Sequence, residues 1–315
     1  MISYIIRRLA LMALSLLITS ILIFSLTQLL PGDVAKLVLG RDASPTAVQN
    51  FNEQFGLDKP VIEQYGRWIT GFITADWGIS YTAGSPPVRP LVLTRMANSL
   101  LLALATLLIA IPFSIIMGVV SALKEGSWVD HSISIVSLSI VGLPEFVTGI
   151  VLINFLALKL DFFNATSMVT PGQSILEWVQ VLVLPALTAS LVIGGYITRM
   201  TRASMLMELK KPYVRTALLK GMVWTRVVYT HVLRNALLPT ITITAISFGW
   251  LMGGLVVIEN VFNYPGMGSL LVTAVNFKNI PVLQSISMII VFFFSLANLI
   301  ADLLYAYLDP RIRLG

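Results

Sequence analysis

The sequence predicts an all-α protein that lives in a membrane and crosses it with six helices. Three observations carry that prediction. The composition comes first: 57% of the 315 residues are hydrophobic, 11% are charged, and the mean hydropathy is +0.87, far too apolar for a surface that must face water. Uncharged runs come second. Leu9–Leu30 (22 residues), Met96–Leu123 (28), 178–198 (21) and Asn235–Ile258 (24) carry no charge, and Ser132–Leu158 and 281–308 carry one acid each. As helices, all are long enough to cross a hydrocarbon core of ~30 Å. The third is the distribution of Lys and Arg. Six spans with both termini in the cytoplasm put 13 of them inside and 8 outside, six of the latter in one long loop. Cytoplasmic loops carry that excess, and long loops are exempt from it.

In chain order, Arg7 and Arg8 precede the first run. A signal peptide has a shorter apolar core and a small-residue cleavage site, so a retained first span with its amino end inside is expected. Residues 31–95 form an extracytoplasmic loop with six basic and six acidic residues, punctuated by Pro31-Gly32, Ser44-Pro45, Lys59-Pro60 and Pro86-Pro87. Short helices are expected there near 45–55 and 60–74. The second span holds Pro112, which should kink it. A short inside loop follows, where His131 is expected to be solvated. The third span holds Glu145 in its interior, within Gly142–Phe146, a Gly-Leu-Pro-Glu-Phe sequence that can interrupt a helix. A carboxylate bare to lipid costs several kcal/mol, so Glu145 should face protein or a watery path. There it would either meet a cationic or polar substrate or be tied to a neighbouring helix. The fifth span holds Gly249 and Gly253, a spacing that lets helices approach closely or slide. Asp302 lies 21 residues into the sixth span, near the cytoplasmic interface.

Residues 199–235 are a cytoplasmic loop with eight Lys/Arg and one acid, Glu208. Pro212 suits a first helical turn and Gly221 a helix end, so 212–220 reads as a helix of about nine residues. That is too short to be stable alone in water, so it must pack on something. A second helix from about Val223 should run into the fifth span.

Several pieces carry a family resemblance. Ala217 and Gly221, four residues apart, are followed by His231–Pro239 (HVLRNALLP). The long loop holds Leu30–Asp33 (LPGD), Phe55–Pro60 (FGLDKP), Gln64–Ile69 (QYGRWI) and Asp76–Tyr81 (DWGISY). Glu259–Gly268 (ENVFNYPGMG), Tyr4–Arg8 and Asp302–Arg313 complete the set. Together these resemble the B-type permease subunits of the oligopeptide/dipeptide/nickel ABC importers, over nearly the whole chain. Arg215-Thr216 replaces the glutamate-alanine pair usual before Ala217, a departure that fits the peptide branch.

The resemblance implies the type I importer permease fold as a single transmembrane domain, 1–315, in a bacterial inner membrane. It implies a second, similar permease subunit, two ATPase subunits and an extracytoplasmic binding protein, with di- or oligopeptides as cargo. Nickel chelates, glutathione, opines and oligosaccharides are the alternatives. In such a subunit Pro212, Tyr213, Arg215, Ala217, Lys220 and Gly221 would form the ATPase-coupling helix, which is expected to have no partner within its own chain. Glu145, Phe146, Trp250, Met252 and Glu259 are the candidates for lining the translocation pathway.

Other functions fit the residues poorly. No G-x-x-x-x-G-K-[ST], G-x-S-x-G or H-E-x-x-H is present, and there is no cysteine. The chain is therefore expected to be non-catalytic, with no cofactor or metal of its own and with ATP and magnesium held by the ATPases. His131 and His231 lie a hundred residues apart. An ion-coupled transporter would use several deep ionisable groups where only Glu145 is found. No basic-aromatic groove marks a nucleic-acid partner.

Overall fold

The computed structural model describes residues 2–29, 34–40, 42–82, 84–168 and 174–308. The Leu30–Asp33 motif and the Asp309–Arg313 end of the tail lie outside these residues. Among the described residues the chain is helical, apart from turns and one isolated bridge between Ile79 and Pro87.

In order, α1 spans Ile2–Gln28, and three short helices follow: α2 (Val34–Leu39), α3 (Pro45–Phe55) and α4 (Val61–Ile73). Then come α5 (Val88–Leu123), α6 (Trp128–Gly142) and α7 (Glu145–Leu152), which widens into a π-helical turn at Ile153–Lys159. The 35-residue α8 covers Ile175–Leu209, and α9 is Pro212–Leu219. Helices α10 (Trp224–Val227) and α11 (Leu233–Gly254) form one run through a second π turn at Val228–Val232. The chain closes with α12 (Val256–Val261), α13 (Met267–Asn276) and α14 (Ile280–Leu308). Among the described residues five helices are long and apolar enough to cross a membrane, and the pair α6–α7, equally apolar, is bent by 107° at its break and makes six if it is one span. A bilayer leaves no solvent partner for backbone amides, which is why helices account for the whole apolar part.

The α6–α7 pair breaks for a local reason. Leu143 is pushed into extended backbone (φ −85, ψ 137) by the proline that follows it, and Pro144 has no amide to donate. Glu145 then starts α7, where a negative charge suits the exposed amides of a first turn.

Helix α8 is the centre of the molecule. In its most apolar window 78% of the residues are buried, against 11% for the peripheral α1. Leu184, Ile193 and Ile197 of α8 meet Leu102 of α5 and Leu251, Ile258 and Phe262 from α11 and α12 in one core. Helices α5 and α8 touch at Gly118, where a Cβ would lie 2.6 Å from Thr201 Cβ and 2.7 Å from the Thr198 carbonyl oxygen. Gly249 packs α11 on Ala297 and Phe294 of α14. Both α5 and α8 run well beyond the uncharged stretches that mark them in the sequence. At 1.5 Å per residue α8 is about 52 Å long, so its last turns project past the hydrocarbon.

Two ion pairs fix the ends. Arg8 meets Asp302 at 2.7 Å, which places the start of α1 and the last part of α14 on the same side. The second is a buried clamp at the foot of α8. The Asp130 carboxylate accepts from Arg202 Nε (2.7 Å) and Nη2 (2.8 Å), from Ser121 Oγ (2.5 Å) and from the Gly126 amide (3.0 Å). It therefore binds the α5–α6 connection to α8. Removing one partner of such a pair strands the other. Asp130→Asn is expected to cost roughly 2–3 kcal/mol, read as a lower thermal midpoint of the purified protein. Asp130→Asn/Arg202→Met should recover part of the loss, and a wild-type midpoint for the single variant would refute the clamp.

Candidate functional site

Helix α9 starts at Pro212, whose missing amide is no loss in a first turn, and it ends where Gly221 takes φ +80. There the Gly221 amide donates to the Leu218 carbonyl (2.9 Å) and the Met222 amide to the Ala217 carbonyl (3.2 Å). Only glycine enters this left-handed region freely.

The helix does have a partner in its own chain, which corrects the expectation from sequence. Val214 is buried, and Tyr213 and Ala217 flank it, against Met205, Leu206 and Leu209 of α8 and Val227, Val228 and Val232 of the α10–α11 run. Eight residues cannot hold a helix by propensity alone, and this apolar seat supplies the difference. Glu208 adds two polar ties, accepting from Tyr213 Oη (2.9 Å) and from Lys211 Nζ (2.5 Å). Pro212, Arg215, Thr216, Leu218 and Lys220 are exposed on the other side, and Leu219 is 79% exposed. Val223 and Trp224 extend that surface. Leu218, Leu219, Val223 and Trp224 make an apolar platform fringed by Arg215 and Lys220. Of the six residues picked from sequence, then, Tyr213 and Ala217 face inward and the rest face out.

The second constellation lies at the break between α6 and α7. Glu145, Phe146 and Trp250 line a cleft of about 590 Å³ with Tyr196, Ile246 and Ser247, between α7, α8 and α11. Glu145 Oε2 is shielded and has no hydrogen-bond partner among the described residues, so no tie to a neighbouring helix is seen there. Met252 and Glu259 are not in this cleft. Met252 is two residues from Trp250, about 200° round the helix, and is buried in the central core.

Glu259 is fully buried and builds a turn instead. Its Oε1 accepts from Ser99 Oγ (2.6 Å) and its Oε2 from the Ser269 amide (3.0 Å). Ser99 Oγ in turn accepts from the Met267 amide (2.7 Å). Alongside, Asn98 Nδ2 donates to the Pro265 carbonyl and Tyr264 Oη to the Asn98 carbonyl, each at 2.8 Å. Gly266 packs directly on the carboxylate and leaves no room for a Cβ. The Glu259–Gly268 segment is thereby pinned to Asn98 and Ser99, three turns into α5.

Sequence reasoning missed two things here. Asp130 has a local signal, because Ser127 caps α6 and accepts from the Asp130 amide, a Ser-x-x-Asp start. Its partner Arg202, 72 residues on, has none. Ser99 has no signal either.

Residues 110–314 match the family described as "Binding-protein-dependent transport system inner membrane component". Residues 1–98 match the family described as its N-terminal part. Among similar proteins, one of Brucella abortus (strain 2308), named for a peptide transport system permease, is 39% identical over 298 residues, 95% of each chain. The glutathione transport system permease protein GsiC of Escherichia coli (strain K12) is 34% identical over 313 residues, 99% of each chain.

The Glu259 network makes its own prediction. Glu259→Gln keeps the shape but turns an NH2 towards either the Ser269 amide, which can only donate, or the Ser99 hydroxyl, which must then give up its donation to Oε1. About 1–3 kcal/mol of stability should be lost, seen as a lower thermal midpoint. An unchanged midpoint would show that the carboxylate is not the pin.

Proposed function

The chain belongs to the family of binding-protein-dependent transport system inner membrane components, and from that premise we propose that it imports di- or oligopeptides across a bacterial inner membrane. The family role is that of a multi-pass permease subunit of an ABC importer, working with an ATPase and a substrate-binding protein. Peptide cargo is supported by the name of the Brucella relative. Glutathione is the second reading, supported by the similarity to GsiC along nearly all of both chains.

The observation that carries the proposal is the two-sided α9. One side is seated on α8 and α11 through Val214, and the other presents Leu218, Leu219 and Trp224 with a basic fringe. A surface of that kind fits a groove on a separate ATPase subunit. In this reading two ATPases lie on the cytoplasmic side, where the Lys/Arg excess and both chain ends also sit, and they hold the ATP and magnesium. Their closure pushes α9, and the Val214 seat passes the push to the feet of α8 and α11. A second, similar permease completes the path, of which Glu145, Phe146 and Trp250 line one half. The spans then exchange between two arrangements biased by nucleotide. The chain itself is non-catalytic.

The test is uptake by the reconstituted complex of permeases, ATPases and binding protein. Peptide accumulation that needs ATP and is stimulated by the binding protein supports the reading. Accumulation driven by an ion gradient without ATP would overturn it.

Two variants probe the parts. Gly221→Val forces a β-branched residue into φ +80 where its Cβ meets no other atom within 4 Å, so the cost is backbone strain of roughly 1–2 kcal/mol. ATP hydrolysis per peptide moved should rise, and wild-type coupling would refute the lever. Glu145→Gln should change stability by less than about 0.5 kcal/mol, read as an unchanged thermal midpoint, since Oε2 loses no bond. Peptide uptake should fall, and unchanged uptake would remove Glu145 from the path.

A further inference from the structure

Helix α4 has three distinct sides. Tyr65, Trp68 and Phe72 form an aromatic side, and Glu63, Arg67, Thr70 and Thr74 continue a polar one opposite, where Arg67 pairs with Glu63 at 2.7 Å. Between them, at i, i+7 and i+11, runs a third stripe of Ile62, Ile69 and Ile73. Ile62 is 87% exposed and Ile73 76%, and Ile69 between them is half-buried. Such exposure of large aliphatic side chains on a short helix needs a partner.

The contacts with α1 show which way this stripe points. Gln64 meets Gln28 at the end of α1 (2.9 Å). Trp68 stacks on Phe24, with centroids 5.8 Å apart. Tyr65 Oη shares a hydrogen bond with Ser20 Oγ (2.9 Å). At about 100° per residue, the order round α4 is Gln64, Trp68, Tyr65 and then the isoleucine stripe. Along α1 the same order steps from Gln28 to Phe24 to Ser20, towards the middle of the span. Ser20 lies about 12 Å from Gln28 along the axis, and Phe24 about 6 Å. The isoleucine stripe therefore faces the interior of the bilayer, and α4 lies at the depth of Phe24. That depth matches the headgroup–acyl boundary, where amphipathic helices settle roughly 5–10 Å deep. On the side of α1 that meets α4, Leu17 and Ile21 are exposed and aliphatic, so the apolar surface runs on from span to short helix.

We infer that α4 is a lipid-lying helix, with Ile62, Ile69 and Ile73 seated among acyl chains at the carboxyl end of α1 and the Glu63–Arg67–Thr70 stripe turned towards the headgroups and water. The occupant of the exposed stripe is lipid. The inference does not depend on the cargo or on which side of the membrane this end of α1 faces.

The chain has no cysteine, so single reporters are simple to place. Ile62→Cys, Ile69→Cys and Ile73→Cys, with Glu63→Cys, Thr70→Cys and Thr74→Cys as the comparison set, are spin-labelled in the full complex in proteoliposomes. Collision rates with oxygen and with a water-soluble nickel chelate are then measured. The isoleucine positions are expected to show an oxygen-to-nickel ratio severalfold above that of the polar positions, with or without binding protein. Equal ratios on both stripes would overturn the inference. So would isoleucine positions closed to both reagents, or closed only when binding protein is added, since a protein would then cover the stripe.

Discussion

The seat of Val214 between Met205 and Val232 joins a short helix to two long apolar ones. A free eight-residue helix would melt, and a melted segment transmits no force. Fixed to the α9 side of the seat is an exposed platform, and fixed to the other side are the ends of α8 and α11. Whatever grips the platform therefore moves packed spans, because close-packed side chains shift together rather than compress. The polar ties from Glu208 to Tyr213 and Lys211 hold the angle between α8 and α9. This arrangement gives the family's separation of labour a physical form in one chain.

Much of this was legible in the residues. The uncharged runs located the membrane helices because hydrocarbon tolerates few charges. Pro212 and Gly221 bracketed α9 because each has a backbone requirement that shows in its side chain. Ser44-Pro45 and Lys59-Pro60 likewise marked the starts of α3 and α4. Facing was not legible. On α11 both sides are apolar, one for lipid or cleft and one for core, so nothing distinguishes Trp250 from Met252 until the helix is packed. Glu259 was misread as pathway because its partners, Ser99 and the Ser269 amide, are a distant hydroxyl and a backbone group without identity. The same holds for Arg202 and Asp130. Nor do charges beyond a span show where its helix stops, which is why α5 and α8 outrun their apolar stretches.

Glu259 and Glu145 illustrate opposite uses of one group. Glu259 has donors on both oxygens and organises a turn. Glu145 keeps one oxygen shielded and unpartnered among the described residues, at a cleft walled by Phe146, Trp250 and Tyr196. A buried polar atom left without a bond is costly, so the first carboxylate adds to the stability of the turn and the second does not.

The bend at Leu143-Pro144 has one more consequence. Helices α5, α6 and α8 are stitched together by the Gly118 contact and by the Asp130 clamp, and beyond the bend α7 packs on α8 where Gly149 meets Thr188. The cleft that holds Glu145 therefore opens beside a break in the backbone hydrogen-bond ladder, so two short rods and not one long one shape its wall.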